Sequence, residues 1–162
     1  MATIYLGLGS NMDPEEHLGF AVRKLRERYG EIEVSAVYRS AAVGFEGDDF
    51  LNLVVRLQSD ETAAQICEEI ERLHVLSGRV RSGEKWVSRP LDIDLLLYDD
   101  LIADQPPVRV PRSDVLEYSF VLRPMAEIAP DLVHPVTGKT MIEHWQEFGE
   151  ERQPLDLVGI ID

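Results

Sequence analysis

One cysteine, Cys67, is all that the 162 residues carry. No internal disulfide can form, and a lone thiol suits a reducing compartment. Lysine is almost as scarce, with Lys24, Lys85 and Lys139 the only three. Basic residues number 16 against 30 acids, a formal net charge of −14. That balance excludes the broad basic face that general nucleic-acid binding needs. Acid excess with little lysine also fits a salt-tolerant source, where screening relieves self-repulsion, although solubility alone explains it equally well. No apolar run approaches the roughly 20 residues of a membrane span. The opening Met1-Ala2-Thr3-Ile4-Tyr5 has no charged start or cleavage signature, so no export signal is read there and a cytoplasmic protein without a membrane partner is expected. The four histidines are scattered, with none at zinc-type spacing from Cys67. Repeats and low-complexity linkers are missing as well. The length suits one domain over residues 1–162, expected to act as a monomer.

What is present is an ordered series of strands and helices. Residues 3–9 read as a strand whose Gly7 and Gly9 suggest close approach of a backbone or ligand. Met12 occupies the third glycine's place, so this is no dinucleotide fingerprint. A helix follows, with Asp13 as its N-cap, Pro14 at its first position and Glu16 completing a capping pair. Its apolar stripe is Leu18, Ala21, Val22, Leu25 and Tyr29, and Gly30 ends it. Residues 32–38 alternate as a half-buried strand, with Ser35 on the polar side. After a loop over 39–49, residues 50–58 form a strand with Phe50 and Asn52 on the face opposite Leu51, Leu53, Val55 and Leu57. Asp60 is the expected cap of a second helix, 61–77, stopped by Gly78. With a last strand from Asp92 to Tyr98, the order is β-α-β-β-α-β. That predicts an α+β fold: a ferredoxin-like core elaborated into an α/β sandwich with a mainly antiparallel sheet. Further on, Val108–Pro111 and Phe120–Leu122 read as short edge strands, Met125–Ala129 as a short helix, and 140–148 as a helix able to cover the other sheet face. The tail after Gly149 is expected to dock through Leu155, Leu157 and Val158.

The chemistry concentrates around Asp92 and Asp94. They open a strand whose Leu95–Tyr98 run is apolar on both faces. Alternation points both carboxylates the same way, roughly 7 Å apart at their Cα atoms. Two such groups at the mouth of a buried strand repel each other and pay for desolvation, and a divalent cation removes both problems. Magnesium commonly takes one or two carboxylates and completes its shell with water and substrate phosphates. The segment just before this strand holds Arg79, Arg81, Lys85 and Arg89 against Glu84 alone. Carboxylates for a metal beside guanidinium groups for phosphate oxygens suit a metal–polyphosphate complex. The alternative is a surface loop whose cations pair with nearby acids, and the charge pattern does not choose between them.

Longer motifs do. The stretches Tyr5-Leu-Gly-Leu-Gly-Ser-Asn11, Phe50-Leu51-Asn52, Gly78-Arg79-Val80-Arg81, Trp86-x-x-Arg89-x-Leu-Asp92-Ile-Asp94-Leu-Leu-Leu-Tyr98 and Phe120-Val-Leu-x-Pro124-x-x-Glu127-Ile-Ala-Pro130 occur in this order. Together they resemble the 6-hydroxymethyl-7,8-dihydropterin pyrophosphokinases, over nearly the whole chain to about His134-Pro135. The resemblance implies an enzyme of folate biosynthesis that moves pyrophosphate from ATP to the pterin hydroxymethyl group and releases AMP. It implies two Mg2+ ions on Asp92 and Asp94, with ATP as co-substrate and a dihydropterin as the other small-molecule partner. Arg79, Arg81 and Arg89 would be catalytic and bind nucleotide, with Lys85, His74, Arg112 and Tyr118 also on the nucleotide side. Val43, Gly44, Phe50, Asn52, Trp86 and Phe120 would bind the pterin substrate. Loops 40–49 and 79–89 would close over the substrates.

Several positions depart from the family pattern. Ser40-Ala41-Ala42-Val43-Gly44 replaces the usual Thr-Pro-Pro run. His74 stands in place of a glutamate, Arg112 of a histidine, and Tyr118 of an arginine. These changes fall on helpers of binding, not on the two aspartates. They leave open a relative acting on another hydroxymethyl heterocycle, or a non-catalytic nucleotide- or pterin-binding module. They also leave room for Phe120 as plain core and Asn52 as a solvent-facing strand residue.

Overall fold

The computed structural model describes residues 1–41, 47–78 and 90–161. Strand β1 (Ala2–Ser10) runs through the middle of an antiparallel sheet. On one side it pairs with β5 (Asp92–Tyr98), on the other with β4 (Phe50–Ser59). Beyond β4 lie β3 (Val37–Ser40) and β8 (Asp156–Gly159), and the short β2 (Glu33–Val34) also pairs with β4. The order β5-β1-β4-β3 is that of the ferredoxin-like core expected from the sequence.

Helices α1 (Pro14–Tyr29) and α2 (Ala63–Leu76) cover one face. Leu18, Ala21, Val22 and Leu25 meet Ile66, Ile70 and Leu73 over the leucines of β1 and β4. Fully burying one such aliphatic side chain is worth about 1.5–3 kcal/mol. Gly30 takes φ 79° at the end of α1, a conformation that a side chain would disfavour. At the other end of that helix Asp13 is itself left-handed, φ 44°, and makes no side-chain cap. The expected capping pair is therefore not formed. Asp60 does not cap α2 either. Thr62 does, accepting from the Gln65 backbone N–H at 3.2 Å while Gln65 Oε1 accepts from the Thr62 N–H at 2.8 Å. The Thr-x-x-Gln spacing satisfies two orphan donors at once, and Asp60 lies 3.3 Å from the N-terminal ammonium instead.

On the opposite face, among the described residues, helices lie over one end of the sheet. Tyr5, Val54, Leu96 and Leu97 pack under α4 (Ser119–Ile128) and α5 (Met141–Phe148), together with Val115 of α3 (Asp114–Glu117). Phe120–Leu122, read as a strand, lies inside α4, whose run continues through Met125. Val121, Leu122, Met125 and Ala126 make one buried stripe at helical spacing. Helix α5 matches its expected span and is capped by a Thr140–Glu143 box. A small hairpin of β6 (Ala103–Gln105) and β7 (Val108–Val110) projects from the end of β5. The tail does dock, but through backbone pairing of β8 with β3. Leu157 remains 63% exposed.

The strand predicted over 32–38 is broken at Ser35-Ala36. Ser35, expected on the polar side, is fully buried. Its backbone N–H donates to Val54 O and its Oγ accepts from Val54 N–H, both at 2.9 Å, so the side chain completes a ladder that the backbone leaves open. A buried donor left without an acceptor costs about 1–3 kcal/mol. Ser35→Ala should therefore lower stability by that amount. The check is urea unfolding: the midpoint should fall with the slope unchanged, and an unshifted midpoint would show that the Val54 N–H finds another partner.

Candidate active site

Strand alternation builds the rest of the second face. Leu6 and Leu8 of β1 point into the α1–α2 core, so Gly7 and Gly9 point the other way. Ile93 and Leu95 of β5 likewise enter that core, which turns Asp92 and Asp94 outward beside the glycines. Gly7 pairs with Asp94 and Gly9 with Asp92 in the β1–β5 ladder. On the other side Gly9 pairs with Asn52. A Cβ on Gly9 would stand 3.3 Å from Asn52 Oδ1 and 3.7 Å from a Phe50 ring carbon, and one on Gly7 would meet Leu96 at 3.4 Å. The glycines thus form a strip of bare backbone against which the Leu96, Asn52 and Phe50 side chains lie. Two carboxylates border it on one side, an amide and an aromatic ring on the other.

Asn52 is buried, not solvent-facing. Its Nδ2 donates to Ser40 Oγ at 2.8 Å and to Tyr38 O at 3.2 Å. With the amide nitrogen held this way, the carbonyl oxygen is turned toward the Gly9 strip. The strand that supplies Tyr38 and Ser40 is itself clamped to α4. Glu127 accepts from the Tyr38 hydroxyl at 2.6 Å and from the Ala36 N–H at 3.0 Å. Burial, and then this bond, push the Tyr38 pKa up to about 12. Glu127 belongs to a stretch of sequence to which no role was attached. Its spacing from Phe120 marks it, but its partners lie some 90 residues away.

Phe120 stands half-buried in the first turn of α4 and stacks on Tyr118, ring centres 5.0 Å apart and planes 20° from parallel. His74 is 4% exposed. Its Nε2 accepts from the Ile93 backbone N–H at 2.8 Å, which ties the end of α2 to β5 between the two aspartates. Nδ1, 3.3 Å from Glu71, therefore carries the ring proton. Arg79, Arg81, Lys85, Trp86 and Arg89 lie outside the described residues, as do Val43 and Gly44, so the expected closing loops are not described over most of their length. Ser10 Oγ donates to Pro90 O just ahead of β5.

Arg112 reaches the carboxylates from the segment after β7. Its backbone N–H donates to Leu96 O at 2.9 Å. One terminal nitrogen, Nη2, lies 3.5 Å from Asp94 Oδ1, and Nε lies 3.3 Å from Asp114 Oδ2 without hydrogen-bond geometry. Burial works against the guanidinium charge, but Asp94, then Asp114 and Asp92, outweigh it and raise its pKa. Asp114 is a residue that sequence reasoning passed over. Only its place two positions after Arg112 hints at the pairing.

Among the described residues no group of three or more histidine, cysteine or acidic side chains is placed to hold a metal ion. The Asp92–Asp94 pair nonetheless fits magnesium, whose remaining ligands are ordinarily water and substrate phosphate oxygens. Burial and then Glu71 push the Cys67 thiol up, which disfavours its thiolate. A cavity of about 860 Å³ lined by Met1, Arg26, Tyr29, Ile32 and Arg56 contains none of the residues above. No helix among the described residues is long and apolar enough to cross a membrane.

Comparison with known proteins identifies the family and the fold. The family model described as 7,8-dihydro-6-hydroxymethylpterin-pyrophosphokinase matches residues 5–130. The 2-amino-4-hydroxy-6-hydroxymethyldihydropteridine pyrophosphokinase of Aquifex aeolicus is 37% identical over 146 residues, 88% of this chain and 90% of that protein. The Haemophilus influenzae protein of the same name is 32% identical over 156 residues, 94% of this chain and 96% of its own length. The crystal structure of Plasmodium falciparum HPPK-DHPS with pterin and p-hydroxybenzoate shares the fold at a TM-score of 0.71 and 12% identity. It covers 93% of this chain, which spans 43% of that longer one.

The strip itself can be tested without a ligand. Gly9→Ala puts a methyl group 3.3 Å from Asn52 Oδ1 at a position with no need for positive φ. The variant should stay folded, with stability changed by about 1 kcal/mol or less, while the Asn52 side-chain amide pair shifts in a proton–nitrogen NMR spectrum. An unmoved amide pair would show that Asn52 does not face the strip.

Proposed function

The chain belongs to the 7,8-dihydro-6-hydroxymethylpterin-pyrophosphokinase family, and from that membership we infer that it transfers pyrophosphate from ATP to 6-hydroxymethyl-7,8-dihydropterin, giving AMP and the pterin diphosphate on the route to folate. Residues 1–162 act as one domain, with ATP and the dihydropterin as small-molecule substrates. A cytoplasmic setting is part of this reading and rests on the single thiol. The observation that carries it is the shared face of Asp92, Asp94, Gly7, Gly9 and Asn52. It provides a metal-binding edge and a heterocycle-binding edge, one strand apart.

Asp92 and Asp94 would hold two magnesium ions together with the phosphates of ATP. Bound there, the metal supplies charge neutralisation on the polyphosphate and lowers the pKa of the attacking alcohol. Asn52, its nitrogen held by Ser40 and Tyr38, offers its carbonyl oxygen to a donor on the pterin edge. Phe120, backed by Tyr118, offers a flat face for stacking, and Phe50 borders the strip. Val43, Gly44 and Trp86 are assigned to the pterin side by the family motif alone. Arg79, Arg81, Lys85 and Arg89 carry the phosphate side by the same motif, with His74, Arg112 and Tyr118 at its edge. The pterin hydroxymethyl oxygen bonds to the β-phosphorus as the bond from that phosphorus to the α,β-bridging oxygen breaks. The alcohol proton leaves to solvent, and no protein atom is bonded in the exchange. Positioning and charge are what the enzyme provides.

Incubation with Mg2+, ATP and 6-hydroxymethyl-7,8-dihydropterin should yield AMP in step with pterin diphosphate. Formation of ADP would sink the pyrophosphoryl assignment, and tight nucleotide binding without a pterin product would point to another acceptor. Asp92→Asn should lower turnover by more than about 100-fold, since even residues supporting a metal ligand are commonly worth 10–100-fold. Near-normal turnover in that variant would remove Asp92 from the site.

A further inference from the structure

The metal-binding edge already holds a cation supplied by the protein. The guanidinium of Arg112 sits between Asp94, 3.5 Å away, and Asp114, 3.3 Å away. Both contacts are loose. A bidentate arginine–carboxylate pair closes to about 2.7–2.9 Å, whereas here Nε is buried with no hydrogen-bond partner. The backbone, by contrast, is fixed on both sides. The Arg112 N–H donates to Leu96 O at 2.9 Å, and its carbonyl accepts from the Val115 N–H at 3.2 Å. The side chain can therefore change partners while its anchor stays put.

Resting on the reading of Asp92 and Asp94 as the metal-binding pair, the geometry points to Arg112 as a resident counter-ion. It neutralises Asp94 while no metal is bound, competes with the metal for that carboxylate, and is released toward the polyphosphate when the metal enters with ATP. A guanidinium and a divalent cation on one carboxylate repel each other, so metal and Arg112 cannot both be held closely by Asp94. A phosphate group can take the displaced fork through two of its oxygens, whereas Asp94 and Asp114 each make one long contact to it here. The consequence is ordered loading. Metal alone binds weakly, and metal with nucleotide binds well, because the nucleotide gives Arg112 an anion beyond Asp114 to move to. Asp114 sets the balance by holding part of the guanidinium away from Asp94.

The probe is Mn2+, titrated calorimetrically and by electron paramagnetic resonance into nucleotide-free protein, with and without a non-hydrolysable ATP analogue. Arg112→Gln should bind Mn2+ about tenfold more tightly than the native protein when no nucleotide is present, the size expected when a nearby competing charge is removed. Arg112→Lys, which keeps the charge, should stay within about threefold of native. Asp114→Asn should act in the opposite direction, weakening Mn2+ binding as Arg112 turns wholly to Asp94. With the analogue present, Arg112→Gln should lose at least half of the native gain in Mn2+ affinity. Opposite shifts in Arg112→Gln and Asp114→Asn are not what general loosening of the fold would produce. If both variants melt near the native temperature and Mn2+ affinity is unchanged in Arg112→Gln, the counter-ion role is overturned. AMP formation by the native protein would in that case leave the pyrophosphokinase reading standing. If the native protein binds no Mn2+ even with the analogue, the metal reading and the counter-ion role fall together.

Discussion

The alternation of β1 is the constraint on which the rest depends. This strand lies between β5 and β4, so its residues 4–9 face a partner on both sides. Its leucines are buried under α1 and α2. Sliding the strand by one residue would turn them to the opposite face and cost the core. The register that buries Leu6 and Leu8 is therefore the register that exposes Gly7 and Gly9. It also sets Asp94 and Asp92 on one flank and Asn52 on the other. Core packing and site geometry are one decision.

Around that floor the fold adds positioning from far along the chain. Glu127 ties α4 to the strand that holds Asn52. His74 ties the end of α2 to the backbone between the aspartates. The broken strand at Ser35 is repaired by a hydroxyl, which lets β2 and β3 both follow β4 despite the kink. Each tie is a polar bond within or beside a buried layer, where an unmet donor or acceptor is costly. The ties therefore restrict how the elements can be placed, as well as adding to stability.

Arg112 brings a permanent positive charge to a carboxylate pair, and Asp114, two residues on, shares that charge. Tyr118 extends an aromatic surface with Phe120. Arg112 and Tyr118 flank the short α3.

The element order, the α1 and α2 stripes, the span of α5 and the common face of Asp92 and Asp94 were legible from the sequence, because periodicity is a local property that burial enforces. The motifs from Tyr5 to Pro130 were enough to place the chain in its family. Asp13 does hold the N-cap position of α1, but its side chain makes no capping bond, and Asp60 was misread as a cap because any acid before a helix looks like one. Whether it becomes one depends on a backbone angle, and on whether a capping box such as Thr62–Gln65 competes. Phe120–Leu122 looked like a strand because three apolar residues carry no period of their own; the stripe that makes them helical appears only when they pack with Met125 against the sheet. Ser35 looked exposed because a serine's burial depends on a partner, Val54, that only sheet pairing supplies. The sequence by itself determined the parts and their chemistry. The tertiary structure decided which of them meet, because contacts such as Tyr38–Glu127 and Arg112–Asp94 join elements whose separation along the chain leaves no local signal.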